Sequence, residues 1–204
     1  MIQNRMTAVC CAVVIGCTVF VSCGKNNDKK KDSSSAGLKE GQHYCDYLEE
    51  VVNSKDYAIG LVFSQDGGEM TVLTERSGED LHSSVTMDGT TADVYYVDGK
   101  AYTVSNENKA YLESSRSDVL FTTDALGLDS GLKYLSTEER DGLNADIYES
   151  DNEGKVVYYY DDSLIFKKLD IDENDEMMRL EVTNFQAGGV KIELPDLSDY
   201  TFIE

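Results

Sequence analysis

The chain has no tryptophan, one proline and two histidines, and it carries 18 basic residues against 39 acidic ones. Each shortage excludes something. A net charge of −21 repels phosphate backbones and anionic headgroups, so nucleic acid is not an expected partner. His43 and His82 lie far apart and neither begins a metal-ligand spacing such as His-Glu-x-x-His. There is no Gly-rich phosphate loop ending in Gly-Lys-Ser/Thr and no Gly-x-Ser-x-Gly elbow. Ser130-Gly131-Leu132-Lys133 satisfies Ser-x-x-Lys, but the companion Ser-Asp-Asn and Lys-Thr-Gly elements are missing. No enzyme is expected, and no cofactor.

Cysteine is scarce where it would matter. Cys10, Cys11 and Cys17 fall in an N-terminal apolar stretch, and Cys23 closes it. Residues 1–22 have the parts of a secretory signal: Arg5 as the only charge, an apolar or small run from Thr7 to Val21, and small Ser22 before Cys23. As a helix, that run reaches only about 22 Å. The hydrocarbon core of a bilayer is ~30 Å thick, so a cleaved signal fits better than a permanent span. Val19-Phe20-Val21-Ser22-Cys23 resembles the bacterial lipobox, with Phe20 where Leu, Val or Ile is usual. Val14-Ile15-Gly16-Cys17 fits that pattern better in isolation, but a cut there leaves apolar 18–21 on the mature end. Cys23 is therefore the expected lipid attachment site, with cleavage between Ser22 and Cys23. The competing readings are an uncleaved anchor and an ordinary secreted signal.

Acyl chains on Cys23 would hold the protein to a membrane at about 0.8 kcal/mol per buried CH₂. The expected location is extracytoplasmic: the outer face of the cytoplasmic membrane, or the outer membrane in a two-membrane bacterium. Removing 22 of 204 residues leaves 182, and losing Arg5 takes the charge from −21 to −22. Cys45 is then the one unmodified cysteine, so no intrachain disulfide can form. Residues 23–37 are Lys-, Asp-, Asn- and Ser-rich and read as a disordered tether. One domain, 38–204, remains.

Within that domain, Leu38 to Ser54 has helical period, with Leu38, Cys45, Leu48, Val51 and Val52 on one face. From Tyr57 the period becomes two. Strands are expected through Tyr57–Ser64, Met70–Thr74, Leu81–Met87, Asp93–Val97, Lys100–Val104 and Ala110–Leu112, with Asp98-Gly99 as the clearest hairpin turn. Ser114 to Ser130 reads as loop plus a short helix. A second run follows: Lys133–Arg140, Asn144–Ser150, Val156–Tyr160, Leu164–Asp170, Met177–Phe185 and Val190–Leu194, the last ended by Pro195. The fold class is mainly β (α+β). About 10–11 antiparallel strands form a curved, half-open barrel, covered by the N-terminal amphipathic helix and the short mid-chain helix.

Aromatic supply is uneven: 13 tyrosines, most on expected strands. Because sides alternate, some of them line an interior. Met70, Met87, Tyr95, Tyr102, Tyr159 and Phe166 are the candidate ligand-pocket residues, the methionines as adaptable liners and the phenols as polar handles. Asp170-x-Asp172-x-Asn174 with Glu181 at the twelfth place resembles a calcium loop, but Asp175 stands where the sharp turn wants Gly. A solvated acidic hairpin turn is the better reading.

The leading helix, the ladder Val94 to Tyr102 and the second run (Ala145–Tyr148, Gly154–Tyr160, Leu164–Leu169, Leu180–Phe185) together resemble the lipoprotein-carrier, LolA-like superfamily. Ile192-Glu193-Leu194-Pro195 before Asp199-Tyr200 also resembles the way such chains close. More narrowly, the chain is similar to uncharacterised small lipoproteins of this shape from Gram-positive anaerobes. The resemblance implies a half-barrel that binds apolar ligands such as acyl chains between sheet and helices. The expected function is thus a tethered lipid-binding protein. The alternative is an interaction protein with a filled core, docking an envelope protein through its acidic surface.

Overall fold

The computed structural model describes residues 37–65, 68–114, 126–128, 131–150, 154–173 and 176–203. Cys23, Ser22, the tether, Ser130, Asn174 and nearly all of the expected mid-chain helix lie outside them. Gly37–Glu204 is one compact unit with its own core.

Helix α1 is Tyr44–Asn53. It starts later than the apolar period suggests. Gly41 adopts φ +75° in a turn closed by the Gln42 N–H to Lys39 carbonyl bond, which breaks the helix before it begins. Asp46 accepts the His43 N–H at 2.9 Å and holds the first turn. Tyr44, Leu48 and Val51 are buried beneath the helix, while Cys45 is half-buried at its margin.

The strands are β1 (Asp56–Gln65), β2 (Gly68–Ser77), β3 (Asp80–Met87), β4 (Thr90–Val97), β5 (Lys100–Ser105), β6 (Ala110–Ser114), β7 (Lys133–Arg140), β8 (Leu143–Ser150), β9 (Gly154–Tyr160), β10 (Phe166–Glu173), β11 (Glu176–Ala187) and β12 (Thr201–Phe202). They make one twelve-stranded sheet in the order β12-β6-β5-β4-β3-β2-β1-β11-β10-β9-β8-β7. Two antiparallel meanders join where β1 pairs with β11, and the sheet curves without closing. Three Asp-Gly pairs make the tight hairpins: Asp88-Gly89, Asp98-Gly99 and Asp141-Gly142, all at positive φ.

At the junction of the meanders, register slips between Gly60 and Leu61. A Cβ on Gly60 would lie 2.8 Å from Thr183 Oγ1, so the bulge needs glycine there.

Alternation gives the sheet two sides. On the α1 side, Tyr57, Ile59 and Leu61 of β1 meet Tyr158, Tyr160, Phe166, Leu169 and Leu180 under the helix. Leu126 joins this core, and the Tyr158 hydroxyl donates to its carbonyl at 2.6 Å. On the other side, Ala145, Ile147, Val157 and Tyr159 form a smaller cluster.

Val190–Leu194 is not a strand. Both edges of β1, the strand beside which it starts, are already taken by β2 and β11, so no ladder is open there. Gly188 and Gly189, at φ +90° and +72°, turn the chain out of the sheet. The Asp56 carboxylate accepts the N–H groups of Gly189 and Val190, both at 2.9 Å. The chain then crosses the side away from α1 as a strap and ends as β12, parallel to β6.

Candidate functional site

The α1 side loses its cover along a gradient. In the row Leu61–Val72–Val85–Ala92, the first two residues are buried, Val85 is half-buried and Ala92 is exposed. In the next row, Phe63–Met70–Met87, the first two are half-buried and Met87 is 42% exposed. Beside Phe63 on β11, Met178 follows the same side as Leu180 and is 41% exposed. Among the described residues, the apolar surface that α1 fills over β8–β11 therefore continues, uncovered, over β2–β4.

The opposite side carries a polar cleft of about 280 Å³ between strap and sheet, lined by Glu75, His82, Tyr95, Lys191, Ile192 and Glu193. Cross-strand pairing sets Glu75, His82, Tyr95 and Tyr102 in one row. His82 Nδ1 contacts Glu75 Oε2 at 2.8 Å, Nε2 contacts Asp93 Oδ1 at 3.3 Å, and the ring stacks on Tyr95 at 4.2 Å. Asn106 donates to the second Asp93 oxygen at 2.8 Å. With both ring nitrogens on carboxylates, the imidazole is held in place and has no free nitrogen for a substrate. It clasps β2 to β4 beneath the strap.

The six ligand-pocket candidates therefore do not share one cavity. Met70, Met87 and Phe166 are on the α1 side, where Phe166 is fully buried against Tyr44 and Tyr158. Tyr95, Tyr102 and Tyr159 are on the other side. Tyr159 is buried under Lys168, whose Nζ lies 3.8 Å from the ring centroid. Of the calcium-like residues, Asp170 and Asp172 lie on β10 and Glu181 on β11. The Asp170 carboxylate is taken by Arg179 at 2.9 Å and Lys168 at 3.3 Å, and Glu181 is exposed opposite Lys168. Burial pushes the Asp170 carboxyl up, but the Arg179 hydrogen bond and the Lys168 charge outweigh it and hold the group below the usual carboxylate range. Among the described residues, no three His, Cys, Asp or Glu side chains are grouped to hold a metal ion.

One buried polar centre has no counterpart among the sequence motifs. Asp146 is 1% exposed and accepts four donors: the Tyr44 N–H at 2.8 Å, Thr137 Oγ1 at 2.7 Å, the Tyr160 hydroxyl at 3.0 Å and the Tyr148 hydroxyl at 3.4 Å. Its carboxylate caps the N-terminus of α1 from β8. Burial pushes the phenols of Tyr44, Tyr148 and Tyr160 well above their ordinary value. Burial, with the charges of Asp46 and Glu49, pushes the Cys45 thiol up to about 12, so it is no nucleophile at neutral pH.

No family model matches the chain, and no curated protein matches it. Among solved structures it is similar to an uncharacterized conserved protein from Thermus thermophilus, at 9% identity and TM-score 0.47, over 81% of this chain and 99% of that one. It is similar to MucB, solved in complex with MucA(peri), at 15% identity and TM-score 0.42, over 79% of this chain and 61% of MucB. A third likeness is to the hypothetical protein CT021 from Chlamydia trachomatis, at 10% identity and TM-score 0.40, over 73% of this chain and 97% of that one.

Proposed function

We propose that the protein is an extracytoplasmic lipoprotein, anchored through Cys23, that binds an apolar ligand of acyl-chain type on the α1 side of its sheet. The carrying observation is the gradient of cover from β1 to β4, which leaves Phe63, Met70, Val85 and Met87 apolar and accessible beside a packed core. Ordered water gains nothing there, whereas an acyl chain buries about 25 cal/mol for each Å² it covers. Met70 and Met87 supply side chains that adapt to an irregular guest. The role is binding without chemistry: His82 is clasped and Cys45 stays a thiol.

Native mass spectrometry of residues 37–204, exported and purified without detergent, tests the reading. An added mass that extracts into organic solvent supports it. A bare mass that takes up no fatty acid when one is offered overturns it. The filled half of the core, where Tyr44, Tyr158 and Phe166 are all fully buried, favours the second reading of a protein that docks a partner. Cross-linking in cells is then the experiment to follow.

A further inference from the structure

The oxidisable sulfur of the domain lies mostly in methionine. Burial, with the charges of Asp46 and Glu49, keeps Cys45 a half-buried thiol, with almost no thiolate to meet an oxidant at neutral pH. A thioether gives up no proton when it is oxidised, so access governs its reaction. Met70 and Met87 face each other across β2 and β3, and such opposed pairs have Cβ atoms about 5 Å apart. Both lie on the α1 side, in the row that starts at Phe63. Met87 is 42% exposed and Met70 half-buried, where methionine is usually buried. Met177, at 60% exposed, projects from the other side of β11. Met178 projects on the α1 side but two residues past Leu180, the partner of Phe63, and so beyond that row.

Building on the acyl-binding reading of this face, we propose that Met87 and the opposed Met70 form a reversible sulfoxidation site whose oxidation expels the ligand. The oxidant is a peroxide. One peroxide oxygen passes to a sulfur lone pair as the O–O bond breaks; the thioether loses two electrons, and hydrogen peroxide leaves as water. The carbon skeleton stays intact, and a thiol-driven methionine sulfoxide reductase removes the oxygen again as water. Met87 reacts first because it is the more exposed of the two. On the α1 side the pair sits among Phe63, Val72 and Val85, with Thr90 closing the row on β4. A sulfoxide oxygen placed there binds water in the free protein. An acyl chain that covers it strips that water and offers no donor in return. One such oxygen weakens binding by about tenfold. Met177 is more accessible still, but its oxygen appears on the other side of the sheet and leaves the ligand alone.

The test uses residues 37–204 with Met177→Leu/Met178→Leu, so that only Met70 and Met87 remain as methionines. Oleate binding is titrated before and after hydrogen peroxide, and peptide mass spectrometry locates the added oxygen. The expected result is an oxygen on Met87 first, about tenfold weaker oleate binding with the melting point kept, and recovery with the two methionine sulfoxide reductases, one for each epimer. Met87→Gln, which places a polar group at the same position, should lose a similar factor with no oxidant. Met70→Leu/Met87→Leu in the same background keeps the apolar volume, so it should bind oleate and ignore peroxide. Oleate binding that survives oxidation of Met87, a leucine variant that peroxide weakens just as much, or a loss of binding that comes with loss of the folded signal overturns this inference alone. No uptake of oleate by the unoxidised protein overturns the acyl-binding reading and this inference with it.

Discussion

Asp146→Ala should release α1 from the sheet. The side chain accepts three bonds of 3.0 Å or shorter, from the Tyr44 N–H, Thr137 and Tyr160, in a place that is 1% exposed. Each such loss costs about 1–1.5 kcal/mol, and the Tyr44 N–H is left buried without a partner. The sum is about 3–5 kcal/mol. At roughly 2–4 °C per kcal/mol for a domain of this size, the melting point should fall by about 10 °C. Asp146→Asn should be milder. Its oxygen can still accept the Tyr44 N–H, and the Thr137 and Tyr160 hydroxyls can rotate to accept from its NH₂. A loss of about 1–2 kcal/mol is expected. Urea unfolding followed by near-ultraviolet circular dichroism would read both, with an unchanged m-value confirming that stability alone has moved. If alanine and asparagine cost the same, or if alanine costs less than about 1 kcal/mol, the carboxylate does not hold the helix.

Four further outcomes are expected. Phenols of Tyr44, Tyr148 and Tyr160 keep their protons in the folded state beyond the ordinary value of 10.0, so stability is whole below that pH and is lost as pH rises above it; tyrosinate absorbance should appear in two phases, the later one coinciding with unfolding. Asp170 is held below its ordinary 3.8, so its contribution is present above that pH and is lost as pH falls; Arg179→Met should therefore raise the acid-unfolding midpoint. Asp56→Ala removes the acceptor for the N–H groups of Gly189 and Val190, and limited proteolysis should then cut first within 189–203 while the sheet stays folded. Cys23→Ala should abolish palmitate labelling in cells and release the protein from the membrane fraction.

Much of the sheet is legible in the sequence because its turns are chemically explicit. Asp98-Gly99 and Asp141-Gly142 need two positive φ angles, and few other pairs tolerate them. Periodicity starts the helix too early because Leu38 fits the apolar period, and it does not register the positive φ that Gly41 takes. Val190–Leu194 alternates like a strand, but whether a neighbour is free to pair is a property of topology. The ligand-pocket set divides for a related reason. Alternation says which residues of one strand share a side, whereas the pairing register across β2–β5 and the bulges at Gly60/Leu61 and Phe166/Lys168 decide how sides match between strands. The His82 clasp joins Glu75 to Asp93 in a cleft shared with the strap at 191–193, and no local pattern links these residues. Asp146 does leave a trace: it alternates with buried Tyr148 on the α1 side of β8, where a surface aspartate does not belong.

The central claim is that the α1 side over β2–β4 holds an acyl chain. A fatty acid bearing a diazirine near its methyl end, bound to residues 37–204 and irradiated, tests it most directly once peptide mass spectrometry has located the adduct. The account predicts labels on Phe63, Met70, Val85 or Met87. Labels on Glu75, His82, Tyr95 or Tyr102, which face the other way, or no saturable labelling at all, would contradict it.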